Sequence, residues 1–310
     1  MDNYTVKGLV VVGFVFSMAT FLFFLEPNIY INSVVPRLAD YLQETAIVMM
    51  RTNRYPGLTG HYSTNGTYLA IGLGAIASLI LAKKNNERKS GCYILATLVI
   101  GALLLIGKRA HLVFSVASVF GVYWFCNDRD KVNRFIKLIG LLIIGSVLLV
   151  IAINQIPALN NTFSRFAETA KSGDFLMSRG LFYAEAITQF KQHPIFGCGW
   201  KTMVNLIEHD VHNIYLQLLA ETGIVGFVVF CGLFVYGIYI AVKLLRCVSF
   251  SKEALSESDR IMICFSGYYV FFFILYGFTG NPLYDEQPFY IFMIAYGILM
   301  HYGKNMRVVK

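Results

Sequence analysis

The sequence predicts an all-α polytopic membrane protein with about eight transmembrane helices and a large helical extracytoplasmic loop. Three observations carry this prediction. The 310 residues are 56% hydrophobic and only 14% charged. Their mean hydropathy of +0.59 lies well outside the range of soluble domains. Finally, the chain contains eight apolar runs of roughly 15 to 20 residues, long enough to cross a bilayer as helices.

The apolar runs and the charged connections between them define a topology. The runs lie at residues 9–25, 66–82, 92–107, 110–126, 138–153, 223–242, 261–279 and 288–302. Three short connections and the C-terminal tail are basic, and alternation of the spans puts all four on one side. Because short cytoplasmic loops carry excess Lys and Arg, that side is predicted to be the cytoplasm, with both termini there. The net charge of +8 has the same explanation, so no nucleic acid is expected as a partner.

Three regions follow from this topology. Residues 1–153 are expected to hold transmembrane helices one to five with an outer loop at 26–65, residues 154–222 an extracytoplasmic loop, and residues 223–310 helices six to eight. The first apolar run is too long for the core of a signal peptide, so it is predicted to remain as a span. Loop 154–222 is far longer than a connection requires, and such loops are usually functional.

The long loop is predicted to contain two helices. Ser178 is placed to cap a helix over RGLFYAEAITQFKQ, whose apolar residues recur on one face, and His193-Pro194 would end it. The glycine-rich turn FGCGW follows. A second helix is expected to begin around Asp210 and to run into the sixth span after a break near Gly223.

Several cations fall on the predicted outer face, against the usual charge bias of membrane loops. Lys108 and Arg109 occupy the tight turn before the fourth run, Arg54 precedes the second run, and Arg179 begins the first loop helix. An anionic ligand would explain them, since arginine binds phosphate oxygens through a planar fork and stays charged. Snorkelling of the turn cations to lipid phosphates and surface salt bridges of the arginines are the alternatives.

His212 is the candidate general base. In a helix from Asp210 its side chain would share one face with Tyr215, Leu216 and Leu219. That face packs toward the bundle, and the ordinary histidine pKa near 6.5 suits base catalysis at neutral pH. A structural hydrogen-bonding role is the alternative.

No metal site is predicted. His209 and His212 are three residues apart, but no consistent third ligand shares their helical face. The sequence DRD at 128–130 falls in a basic cytoplasmic loop and is interpreted as a solvated charge cluster.

Two ordered stretches, SRGLFYAEAITQFKQHPIFGCGW and HNIYLQLLAETGIVGF, resemble the signature loop of the bacterial O-antigen ligase and O-antigen polymerase superfamily. Two shorter pieces also resemble it: the outer turn Lys108-Arg109-Ala110, and an RxxG stretch matched loosely by Arg54, Gly57 and Asn65. The resemblance covers roughly residues 50 to 300. The chain departs from the family in one respect, because only one span precedes the RxxG stretch where family members have several.

The resemblance implies a metal-independent, inverting membrane glycosyltransferase without a cofactor, in the inner (cytoplasmic) membrane with its active site on the outer face. The implied donor and acceptor are glycans on undecaprenyl diphosphate. Membrane lipids, a chain-length regulator and a flippase are the further partners expected.

The resemblance also implies roles for individual residues. Arg109 and Arg179, helped by Arg54 or Lys108, would neutralise the leaving diphosphate, and His212 would take the proton of the acceptor hydroxyl. The candidate substrate-binding residues are Arg54, Lys108, Asn213 and Glu221. Glu221 has a structural reading as well, as an acid beside the helix break.

Several functions remain open at this level. A polymerase uses a second lipid-linked repeat unit as the acceptor, whereas a ligase uses lipid A core, and the motifs do not separate the two. Polymerisation of O-antigen, capsule or exopolysaccharide is the favoured interpretation. A membrane transporter or a non-catalytic remnant of the family is the alternative of another class.

Overall fold

The computed structural model of the chain describes residues 4–82, 89–126, 179–250 and 255–305. Within these ranges the secondary structure is helical and contains no strand, as the sequence predicts. The main helices are α1 (Tyr4–Leu25), α2 (Asp40–Arg51), α3 (Tyr62–Ala82), α4 (Ser90–Leu105), α5 (Arg109–Cys126), α6 (Gly180–Gln192), α7 (Thr202–Ile207), α8 (Ile214–Phe250), α9 (Glu257–Tyr276) and α10 (Glu286–Asn305).

The helices confirm a polytopic membrane protein. Five of those described, namely α1, α3, α5, α8 and α9, are long and apolar enough to cross a membrane. Helix α4 is apolar but shorter, and α10 occupies the position of the predicted last span. The span predicted at 138–153 lies outside the described residues, as do the DRD sequence and Ser178. The number of eight spans therefore stays a prediction.

Helices α3 and α9 form the centre of the bundle. They pack against each other, α3 also contacts α1, α4 and α5, and α9 also contacts α5, α8 and α10. Their most apolar segments are 78% and 72% buried inside the protein, against 22–28% for α1, α5 and α8. The surrounding helices thus present much of their apolar surface outward, as expected for contact with lipid.

A pair of glycines allows α1 to approach the central helix α3 closely. Gly13 of α1 and Gly72 of α3 lie backbone to backbone, and a Cβ on either would overlap the other glycine. On another side of α3, the hydroxyl of Tyr268 in α9 donates to the carbonyl oxygen of Ala70 at 2.7 Å. Packing through small residues and interhelical hydrogen bonds is what holds helices together where lipid removes the hydrophobic drive for association.

Helix α8 is broken at Gly223, where the sequence predicts a break. Gly223 has φ of +63°, a left-handed conformation that favours glycine. The turn after α6 fills the break. The amides of Cys198 and Gly199 donate to the carbonyl oxygens of Ala220 and Glu221, at 2.9 and 3.0 Å.

The hydrogen bonding across the break is reciprocal. On its far side, the amides of Ile224 and Val225 donate to the carbonyl oxygens of Pro194 and Ile195, at 2.9 and 3.3 Å. Backbone groups that a break would leave without partners are therefore paired with the turn, which buried backbone requires.

The start of α8 differs from the prediction. The sequence predicted a helix from about Asp210, but α8 begins at Ile214. The Oδ1 atom of Asn213 accepts hydrogen bonds from the amides of Tyr215 and Leu216, at 3.0 and 3.2 Å, which is the geometry of a helix N-cap. The helix starts after this cap, because His212 has a left-handed φ of +57° that cannot continue a right-handed helix.

The first loop helix agrees with prediction. Helix α6 spans Gly180–Gln192 and ends at His193, with Arg179 in the N-cap position.

Helix α3 begins at Tyr62, four residues before the predicted start at 66, so Asn65 lies inside the helix and not in the preceding loop.

Replacing Gly223 by Ala should destabilise the protein by about 1–3 kcal/mol, the usual cost of a strained backbone conformation. The added Cβ would also overlap the carbonyl oxygen of Ile195. The measurement is the midpoint of thermal unfolding in detergent. Gly232→Ala, in the same helix, is the matched control, since a Cβ at that position meets no atom within 4 Å. Equal midpoints for the two variants would contradict a required break.

Candidate active site

The segment that carries Arg54 is fixed to the start of α3 by the side chain of Asn65. The Nδ2 atom of Asn65 donates to the carbonyl oxygen of Tyr55 and to Oγ1 of Thr20, both at 2.9 Å. Gly57, at φ of +60°, packs so closely on this amide that a Cβ would overlap it. The RxxG stretch and its asparagine therefore position Arg54.

Two of the predicted cations share one aromatic ring. The guanidinium carbon of Arg54 lies 5.2 Å from the ring centroid of Tyr62, and Nζ of Lys108 lies 5.3 Å from it. These are cation–π distances. The structure thus brings together two cations that are far apart in the sequence.

Lys108 also interacts with other charges at this end of the bundle. Its pKa is lowered to about 8, first because the surrounding protein desolvates the ammonium and then by the positive charge of Arg179. The carboxylate of Asp285 acts in the opposite direction. Its neighbour Arg109 is half-buried and begins α5, and its role in catalysis stays a prediction.

Arg179 connects α6 to the end of α9. Its Nη1 atom donates to the carbonyl oxygen of Thr279, in the turn that follows α9, at 3.4 Å. The guanidinium is half-buried, and its charge acts on both Lys108 and His212.

His212 is not in a helix, contrary to prediction. The sequence placed its imidazole on a helix face with Tyr215, but the residue precedes α8 in a left-handed conformation. Backbone bonds on both sides fix this conformation: the amide of Val211 donates to Oε1 of Gln217 at 3.3 Å, and that of Ile214 to the carbonyl oxygen of Gly277 at 2.9 Å. Histidine is among the few residue types enriched at such positions, and they are frequent at functional sites.

The surroundings of His212 keep its imidazole neutral. Its pKa is lowered to about 4, first by burial and then by the positive charges of Arg179 and Lys108, while Asp210 acts in the opposite direction. A neutral imidazole at pH 7 has a free lone pair and can accept a proton. Two predicted cations and the predicted base are therefore electrostatically coupled.

His209 is exposed, and its charge has the smallest of the effects on the pKa of His212. The ring of His209 lies 5.8 Å from that of Phe182. Within the described ranges, no group of three or more His, Cys, Asp or Glu side chains is arranged to hold a metal ion.

His61 was missed by the sequence reasoning. It is half-buried at the start of α3, and burial together with the charges of Lys108, Arg54 and His212 lowers its pKa to about 4. The available signal was its position in RYPGLTGHYSTNG, directly before a span and close to Arg54 in the sequence. A second neutral histidine therefore belongs to the same cluster of charges.

Glu221 is a buried centre of hydrogen bonds. Its Oε2 atom accepts from the amide of Lys201 at 2.8 Å and from the hydroxyl of Tyr284 at 2.6 Å. Its Oε1 atom accepts from the amide of Met203 at 3.2 Å and from Nε2 of Gln217 at 3.1 Å. The carboxylate thus ties the turn after α6 to α8 and to the loop before α10, which fits its structural reading. Its role in substrate binding stays a prediction.

An aromatic stack and an amide pair complete this support. The ring of Trp200 lies 4.6 Å from that of Tyr284 and nearly parallel to it, at 12°. Oε1 of Gln217 also accepts a hydrogen bond from Nδ2 of Asn281. Neither Gln217 nor Asn281 was singled out from the sequence, and both belong to the framework that holds the residue before His212.

The cluster is formed by side chains from four separate segments. They are Arg54 and His61 before α3, Lys108 before α5, Arg179 before α6, and His212 before α8. Asp210 and Asp285 offset part of the positive charge. Such a cluster can bind an anion beside a group that accepts a proton.

Comparison with known proteins gives one family. A family model described as O-antigen ligase matches residues 93–231, a range that includes Lys108, Arg109, Arg179 and His212. A search of curated proteins gave no match. Over this range the chain is similar to O-antigen ligases, which confirms the resemblance seen in the sequence.

Proposed function

We propose that the chain polymerises oligosaccharide repeat units linked to undecaprenyl diphosphate into surface polysaccharide, by metal-independent, inverting glycosyl transfer. The observation that carries the proposal is a neutral His212 on which the charges of Arg179 and Lys108 act, with Arg54 acting in turn on Lys108. A diphosphate leaving group and a sugar hydroxyl that must lose a proton require such a pair of functions.

The cations stabilise the leaving group. As the bond between the anomeric carbon and the diphosphate oxygen breaks, its electron pair moves to the diphosphate, whose negative charge rises. Fixed positive charges that are already in place stabilise this developing charge without reorganisation. Arg179 and Arg54 offer planar forks that match two phosphate oxygens, and Lys108 adds a compact charge.

His212 is the general base. The oxygen of the acceptor hydroxyl attacks the anomeric carbon from the face opposite the diphosphate, which inverts the configuration, and its proton passes to the imidazole. In the free enzyme burial, and after it the charges of Arg179 and Lys108, lower the pKa of His212. A bound diphosphate pairs with these cations and offsets their field, so the pKa of His212 rises and the imidazole becomes a stronger base when substrate is present.

The basic connections support a location in the cytoplasmic membrane, with both termini in the cytoplasm and the site on the outer face. A lipid-linked substrate there keeps its tail in the bilayer and its glycan in water, and the site lies at the ends of membrane helices. Residues 154–222 then form the extracytoplasmic catalytic loop, with spans before and after it. A flippase that delivers repeat units and a chain-length regulator are the protein partners that such a reaction needs.

Ligation is the second candidate function. The matching family model is described as O-antigen ligase, which favours transfer of the glycan to lipid A core. The donor chemistry is the same in the two reactions, so Arg179 and His212 keep their roles. The acceptor alone distinguishes them.

His212→Ala should reduce glycosyl transfer by about 10² to 10⁴-fold, because general-base assistance is worth that much. His209→Ala is the matched control: this neighbouring histidine is exposed, and its loss should leave activity near that of the wild type. Polysaccharide length in cells and initial rates with purified protein measure the effect, with membrane content as the check on folding. Polymer of wild-type length in the His212 variant would exclude it as the base.

The pH dependence should follow the lowered pKa of His212. The value of kcat/KM, which reports the free enzyme, should stay flat from neutral pH downward and fall only as the pH drops through about 4, where His212 becomes protonated. Lys108→Met removes one of the cations that lower this pKa, so the fall should move to higher pH. A fall centred near the ordinary value of 6.5 in both proteins would contradict the electrostatic coupling.

A further inference from the structure

The ring of His61 has a defined tautomer. Its Nδ1 atom accepts a hydrogen bond from the amide of Ser63 at 3.1 Å. An imidazole nitrogen that accepts carries no proton, so the proton of the neutral ring is on Nε2. His61 therefore presents an N–H group, whereas a general base must present a lone pair.

The bond to Ser63 is also a helix cap. His61 directly precedes α3, and Ser63 is the second residue of that helix, so Nδ1 takes the place of the oxygen of an Asn or Asp N-cap. Capping explains the use of Nδ1 but not the choice of histidine, because asparagine is a better cap. The atom that histidine adds is Nε2.

The position of the ring is held from several sides. The hydroxyl of Thr59 donates to the carbonyl oxygen of His61 at 2.8 Å and accepts from its amide at 3.3 Å. The carbonyl oxygen of Thr59 in turn accepts from the hydroxyl of buried Tyr30 at 2.7 Å. The imidazole lies 4.9 Å from the ring of Tyr62, the ring that Arg54 and Lys108 share.

The chemistry of this corner of the site points to a phosphate oxygen as the partner of Nε2. Of the charges that act on His61, those of Lys108 and Arg54 are the largest. A protonated imidazole here would repel both cations, whereas a neutral N–H donates without adding charge. Among the described residues, no hydrogen bond engages Nε2.

We propose that His61 is a substrate-binding residue whose Nε2–H donates to a phosphate oxygen of the lipid diphosphate, beside Lys108 and Arg54. The identity of the diphosphate rests on the proposed function. The two histidines then have separate tasks: His61 holds the leaving group as a donor, and His212 accepts the proton of the acceptor hydroxyl.

Two substitutions separate this role from capping. His61→Asn keeps an acceptor for the amide of Ser63 but has no donor at the position of Nε2. His61→Gln reaches that position with its amide nitrogen but caps the helix poorly. If His61 is only a cap, the Asn variant should behave as the wild type. If Nε2 binds phosphate, the Asn variant should lose affinity while its thermal stability is kept.

The test is equilibrium binding of undecaprenyl diphosphate, without any sugar, to the purified full chain in detergent. We expect the Asn variant to bind about tenfold more weakly, the usual effect of losing one hydrogen bond to a charged group. The Gln variant should bind more tightly than the Asn variant despite its lower midpoint of unfolding. Undecaprenol, which lacks phosphate, should bind all three proteins alike.

Two results would overturn the proposal, and they differ from each other. Binding of the diphosphate lipid by the Asn variant as by the wild type would remove the role of His61 and leave the proposed function intact. No preference of the wild-type protein for the diphosphate lipid over undecaprenol would contradict the proposed function itself, and the role of His61 with it.

Discussion

The backbone break at Gly223 is the constraint on which the other features of the site depend. A membrane helix that breaks must pair the amides and carbonyls that it releases, because a bilayer offers them no water. Here the turn after α6 pairs them, through Cys198 and Gly199 on one side and Pro194 and Ile195 on the other. The break at this glycine therefore provides the attachment of the turn after α6 to the bundle.

The attachment positions both His212, the proposed base, and Arg179, a proposed diphosphate-binding cation. The segment of α8 before the break carries Asn213 at its N-terminus, so His212 is held just beyond a helix end. Helix α6 leads directly into the turn that fills the break, and Arg179 lies at its other end. Buried Glu221, which accepts four hydrogen bonds, joins these parts to the loop before α10. The site is thus preorganised by packing and backbone hydrogen bonds.

The electrostatics of the site favour an anion. Arg54, Lys108 and Arg179 lie close enough to act on one another or on a shared histidine. Burial first, and then the neighbouring positive charges, lower the pKa of Lys108 and of His212. A diphosphate relieves this repulsion, so part of the binding free energy comes from charges that the fold has already brought together. In the proposed reaction the same relief would make His212 more basic when a substrate is bound.

Much of this arrangement could be predicted from the sequence, because local patterns encode it. Glycine at 223 between apolar runs predicts a break, and the break is there. The motif around His212 predicts this residue in the first turn of a helix from about Asp210, whereas that helix begins at Ile214. The left-handed conformation of His212 could not be predicted, since it depends on the position of the Gln217 side chain and on a hydrogen bond from Ile214 to Gly277, which is distant in the sequence. His61 could not be identified from the sequence, because the hydrogen bond that sets its tautomer and the charges that surround it arise only when the chain folds.

The central claim is that a lipid diphosphate alone activates the glycan for transfer. Its most direct test is turnover by the purified protein in proteoliposomes, with the undecaprenyl-diphosphate-linked repeat unit as the only donor and acceptor and with a metal chelator present. We expect glycan that lengthens by whole repeats, with release of undecaprenyl diphosphate. Product that forms only after lipid A core is added would reassign the reaction to ligation. A requirement for Mg²⁺ or a nucleotide sugar would exclude the proposed mechanism.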